Sequence, residues 1–140
     1  MRATLVGLLL PHVLLAHSGH LGDHVVEAVR LDATPAPRID GHLDDEVWLQ
    51  AQPLTGLRQL VPDRGAPTAD DSEVRLAYDE HNLYIGVRCY DDPEHIINRI
   101  ARRGDIWPSD WISFYIDSQH DHRTGYKFST TPGGLQQDEF

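Results

Sequence analysis

The sequence predicts an all-β protein, an antiparallel β-sandwich carrying one or two short helices and incomplete at its C-terminal end. Three stretches predict it. Glu73–Asp79 and Leu83–Tyr90 alternate apolar and polar residues on either side of the turn Asp79-Glu80-His81-Asn82, which reads as an antiparallel hairpin. Trp111–Ile116 alternates in the same way, with Ile112, Phe114 and Ile116 on one side. Tyr126, Phe128 and Thr130 then alternate with Lys127 and Ser129, so this run pairs with the previous one across a polar loop. Short antiparallel strands at this spacing are the pattern of a sandwich.

Length and charge narrow the function. At 140 residues the chain has room for one domain with a core. Twelve basic against 22 acidic residues give a formal charge of -10, and Arg99, Arg102 and Arg103 are its only basic cluster, which argues against a nucleic-acid surface. Residues 1–18 read as a signal peptide: a positive Arg2, an apolar run from Ala3 to Ala16, and small residues at Ala16 and Ser18 ahead of the expected cut. The run is too short, and Pro11 too disruptive, for a span of roughly 20 residues. Export to the periplasm, the cell surface or the medium is expected, with a mature charge of 11 minus 22, or -11. Cys89 is the one cysteine; it excludes an internal disulfide and, on the apolar side of its strand, reads as a buried inert thiol.

Taken in order, residues 19–33 are a lead-in in which Val25, Val26, Val29 and Leu31 make a short first strand, and residues 34–140 are the domain. Thr34–Arg38 is an extended connector set by Pro35 and Pro37. Asp44 reads as the N-cap of a short helix to about Ala51, with Leu43 stapled onto Trp48 and with Val47, Trp48 and Ala51 buried. Leu54–Val61 reads as a strand and Pro62–Asp71 as a loop. In the hairpin, Val74, Leu76, Tyr78, Leu83, Ile85, Val87 and Cys89 face inward. Tyr84, Arg88 and Tyr90 lie on the other face, which is expected to be partly covered, with a gap at Gly86. Asp92 and Pro93 open a second helix whose stripe is Ile96, Ile97 and Ile100. Gly104–Ser109 is a loop, and Gly133-Gly134 is a turn.

In sequence, Ile39-Asp-Gly-x-Leu-Asp-Asp-x-x-Trp48, Glu73-Val-Arg-Leu-x-Tyr-Asp79, Leu83-Tyr-Ile-Gly-Val87 and Asp121-x-Arg-Thr-Gly-Tyr-x-Phe128 resemble the family 9 carbohydrate-binding module. The form most resembled is the one at the front of large exported bacterial proteins that continue into an outer-membrane-associated region. The resemblance runs from about Ala33 to Asp138, and such modules continue with further strands beyond the Gly133-Gly134 turn. It implies a β-sandwich that binds polysaccharide or oligosaccharide and works beside a hydrolase or surface protein in its own full-length chain. In well-known members two tryptophans sandwich a sugar, so Trp107 and Trp111 are the candidate platform, with Arg103, Asp105 and Asp110 available to bond hydroxyls.

Calcium is the expected metal, because loop carboxylates suit a hard cation and some modules of this family bind it; Asp117 and Asp121 are its candidate ligands. His120 and His122 are a weaker zinc pair, with no third ligand in view. Twenty-two acids offer many carboxylate pairs, but no motif singles out one for glycoside hydrolysis. No nucleophile elbow, phosphate loop or zinc-protease motif occurs either. Independent catalysis is therefore not expected. Two readings stand beside the sugar-binding one: a structural module of an outer-membrane protein, and the front part of a hydrolase acting on O-glycosyl bonds.

Overall fold

The computed structural model describes residues 26–32, 35–121 and 123–140. The expected signal peptide, Val25 and His122 lie outside them. The described residues are all-β apart from one short helix, with two three-stranded sheets. The chain divides into two compact units, one up to Tyr90 and one from Asp91 to Phe140.

In the first unit, strand β1 (Val29–Arg30), helix α1 (Glu46–Gln50), β2 (Ser72–Tyr78) and β3 (Leu83–Cys89) follow in order. β2 and β3 form the expected hairpin, with Val74 opposite Val87 and Leu76 opposite Ile85. Asp79 closes it as an Asx turn: its Oδ1 accepts the N–H groups of His81 and Asn82, each at 2.7 Å. β1 departs from the antiparallel expectation, since it adds to β2 in parallel, Val29 beside Ala77. A parallel neighbour needs a long crossover, and the segment carrying α1 supplies it.

The centre of this unit is the side of the hairpin that the pattern leaves half-polar. Val47, Trp48 and Ala77 are buried together, with Val29, Leu31, Leu43 and Tyr84 packed around them. Gly86 is the seat of this contact. A Cβ built on it would stand 2.8 Å from Leu43 Cδ2 and 3.2 Å from Trp48 Cζ3. The gap at Gly86 is thus filled by the Leu43 and Trp48 side chains. Arg75 fastens the other end of the helix, its Nη1 donating to the carbonyls of Trp48 (2.6 Å) and Ala51 (2.7 Å). These are among the C-terminal carbonyls that a helix leaves without intrahelical donors.

Several expectations are corrected here. The N-cap is Asp45, not Asp44; its carboxylate accepts the Arg38 N–H at 3.1 Å and makes no side-chain cap bond. Leu54–Val61 is not a strand but carries two isolated bridges, Leu54 to Val74 and Arg58 to Pro67. Cys89 is exposed, not buried, because it ends β3 opposite Ser72 where the apolar face runs out. Leu83, expected inward, is exposed as well.

The second unit contains β4 (Ile112–Ile116), β5 (Tyr126–Thr130) and β6 (Gln136–Glu139) in an antiparallel sheet of that order. Phe114 faces Phe128 across the first pair, and Ser113 bonds Ser129 through their hydroxyls at 2.8 Å. β6 is an unexpected strand, because Gln-Gln-Asp-Glu offers no apolar alternation. Its start is set by Thr131, whose N–H and Oγ1 both engage Leu135.

The second helix does not form. Asp92 caps a single turn, accepting the Glu94 N–H at 3.0 Å on its side chain and the His95 N–H at 2.8 Å on its carbonyl. Beyond it, Ile97 gives its N–H to Asp110 Oδ2 and its carbonyl to the Asp110 N–H, each at 2.8 Å. Arg99 likewise gives its N–H to the buried Ser109 hydroxyl at 2.7 Å. Backbone groups that a helix would use within itself are committed to the loop before β4, so Ile96, Ile97 and Ile100 stand exposed and make no buried stripe.

The Asp79 carboxylate titrates well below the ordinary range, held chiefly by the Tyr84 hydroxyl (2.7 Å) and then by the His81 N–H and the Asn82 side chain. A lowered folded-state pKa contributes stability above the ordinary carboxylate value, and that contribution is lost as pH falls toward the folded-state value. Tyr84→Phe is expected to move the Asp79 titration upward, read from its carboxyl carbon shift, and to move acid unfolding to higher pH. An unmoved titration would remove the hydroxyl as the cause.

Candidate functional site

The loop from Gly104 to Ser109 is pinned from beneath. Ile106 is 1% exposed, a core residue the pattern did not mark, and the Ser109 N–H closes a turn on its carbonyl at 3.1 Å. The anchor lifts Trp107 outward, where it is 69% exposed, while Trp111 just before β4 is 42% exposed. The two indoles meet edge to face, with centroids 5.0 Å apart and planes at 65°. Carbon contacts of roughly 3.5–4 Å on each side set about 7–8 Å as the gap needed to hold a flat ring between two others. The indoles therefore offer an angled outer platform and no slot between them.

The polar residues predicted beside this pair are dispersed. Asp110 is committed to the Ile97 backbone through both its carboxylate and its own N–H. Asp105 closes a turn, donating its N–H to Arg102 O at 2.9 Å. Arg103 turns to β6 and pairs with Asp138, Nη2 to Oδ1 at 3.3 Å. The same loop touches β6 again through the Gly104 N–H and Gln136 O at 3.3 Å.

In the β4–β5 loop, Asp121 is the organiser. Its N–H donates to Asp117 Oδ1 at 3.2 Å; its Oδ1 accepts the Arg123 and Thr124 N–H groups, and its Oδ2 the Thr124 hydroxyl, each at 2.8 Å. Among the described residues no cluster of three or more His, Cys, Asp or Glu side chains is set to hold a metal. Calcium takes six to eight oxygens, so Asp117 and Asp121 would need further oxygen ligands from this loop.

A trough of about 470 Å³ runs over the second sheet, walled by Phe114, Phe128, Thr130, Gln136, Asp138 and Arg103. Along its strand Tyr126 stacks on Phe128 (6.3 Å, 25°) and meets Phe140 at 5.1 Å. The sequence marked Phe114 and Phe128 as strand residues only. The signal for the rest was the Gly133-Gly134 turn, which returns the chain alongside β5.

No helix among the described residues is long and apolar enough to cross a membrane. No curated protein and no solved structure matches the chain. The model of one family, described as carbohydrate family 9 binding domain-like, matches residues 39–132. That span starts at Ile39, just ahead of Trp48 and the Gly86 seat, and runs through the β4–β5 hairpin, so it covers about two thirds of the chain and most of the elements above. The chain belongs to the carbohydrate family 9 binding domain-like family.

Proposed function

We propose that the protein is a non-catalytic carbohydrate-binding module of an exported protein, a β-sandwich that keeps an attached hydrolase or surface protein close to polysaccharide. Family membership carries this reading, and the exposed Trp107–Trp111 platform gives it a surface. A pyranose presents an apolar C–H face and a rim of hydroxyls, which suits stacking on the outer face of Trp107. The signal peptide read in residues 1–18 supports export to the periplasm, cell surface or medium.

Calorimetric titration of the full chain with xylo- and cello-oligosaccharides, with and without calcium, tests the reading. Saturable binding is expected. A calcium requirement that Asp117→Ala or Asp121→Ala abolishes would support those two as ligands, and silence from folded protein would overturn sugar binding. Trp107→Ala or Trp111→Ala is expected to weaken binding by about 1–3 kcal/mol without unfolding the domain. Unchanged affinity in both variants would discard the platform.

One observation favours a second reading, a structural module at the surface or in the periplasm that has no sugar affinity. The indoles satisfy each other at 5.0 Å, which is also how a locally packed pair behaves. Sugar-independent capture of the remainder of its own full-length protein would support that role.

A further inference from the structure

We propose that the trough over β4–β5–β6 is a second saccharide-contacting surface, separate from the tryptophan platform. It rests on the carbohydrate-binding reading and adds a place, with its own residues. The floor is aromatic: Phe114 and Phe128 face each other across β4 and β5, and Phe128 remains 45% exposed. The rim is polar, made by Gln136 and Asp138 on β6 and by Arg103 reaching over from the preceding loop. At about 470 Å³ the trough falls in the size range of small-molecule sites.

The chemistry of the rim fits a neutral pyranose. The guanidinium carries five N–H donors and the carboxylate accepts through both oxygens, so their pair sets donors beside acceptors as neighbouring sugar hydroxyls require. Arg103 and Asp138 are 76% and 65% exposed and 3.3 Å apart; such a surface pair holds weakly and is easily reshaped by a ligand. Because each charge cancels the other, the rim favours a neutral sugar over an acidic one.

Nitrogen-edited NMR titration of the full chain with cellohexaose and xylohexaose, repeated on Gln136→Ala, Asp138→Ala and a Trp107→Ala/Trp111→Ala double variant, tests the assignment. Both β6 residues are exposed on the outer strand, so circular dichroism is expected to show an unchanged fold. Bound sugar is expected to move the amides of Phe128–Thr130 and Gln136–Asp138, also in the double tryptophan variant, and each β6 substitution to raise Kd at least fivefold. Wild-type binding with Kd unchanged in both β6 variants and no shifts at those amides would overturn the trough and leave the carbohydrate reading standing. Folded wild-type protein that binds neither sugar would overturn both.

Discussion

Trp48→Ala is expected to destabilise the first unit by about 3–5 kcal/mol, the cost of a large cavity in a packed core. Trp48 is 4% exposed and lies against Val47, Ala77, Leu43 and the backbone of Gly86. A domain of ordinary stability has only about 5–15 kcal/mol in total, so the midpoint of urea unfolding should fall steeply. Trp48 Nε1 is buried without a hydrogen-bond partner, so Trp48→Phe removes an unsatisfied donor along with part of the ring and should cost under about 1.5 kcal/mol. The seat couples the two residues: Gly86→Ala overpacks the wild-type core, and the same change beside Trp48→Ala meets fewer atoms. The two changes are therefore expected to be non-additive. Additive losses, or a Trp48→Phe loss equal to that of alanine, would contradict the packing described.

Arg75→Ala is expected to cost about 3 kcal/mol, measured in the same way. The guanidinium is the donor to two carbonyls at the end of α1 and pairs with Glu73 Oε2 at 3.3 Å. The Arg75 and Glu73 side chains are only 20% and 12% exposed, so truncation leaves a nearly buried carboxylate without its partner as well as two carbonyls without donors. Arg75→Lys should recover part of the loss, since one ammonium has neither the reach nor the planar fork of the guanidinium. Glu73→Ala/Arg75→Ala should cost less than the sum of the single changes. A loss from Arg75→Ala no larger than that of an exposed residue would show that the helix end needs no such clasp.

The β2–β3 and β4–β5 hairpins, the Asp79 turn, the short helix and the burial of Trp48 were legible in the residue pattern because each is local. Alternation, an Asx turn and an apolar pair five residues apart act within a few residues of one another. The second helix at Asp92 was misread for the same reason. Local capping was present, but Ser109 and Asp110, ten and thirteen residues from the N–H groups they accept, took the backbone groups that a helix needs. β6 was missed because edge pairing with β5 stabilises it through the backbone, while its side chains carry no apolar code. At the site, Trp107 and Trp111 were legible as aromatic residues on a loop. Their edge-to-face contact and the turning of Arg103 toward Asp138 were not, since both depend on how Ile106 anchors that loop and how β6 comes back beside β5.

By itself, the sequence determined the all-β class, the acidic charge, the family motifs from Ile39 onward and the two tryptophans at the loop before β4. Only the tertiary structure decided which face of the first hairpin becomes its core. Gly86 has no side chain to announce a contact, and its role exists only once Leu43 and Trp48 are folded against it. The same holds for the polar residues around the tryptophans: composition says that hydrogen-bonding groups are present, and long-range packing decides which of them are already spent on the backbone.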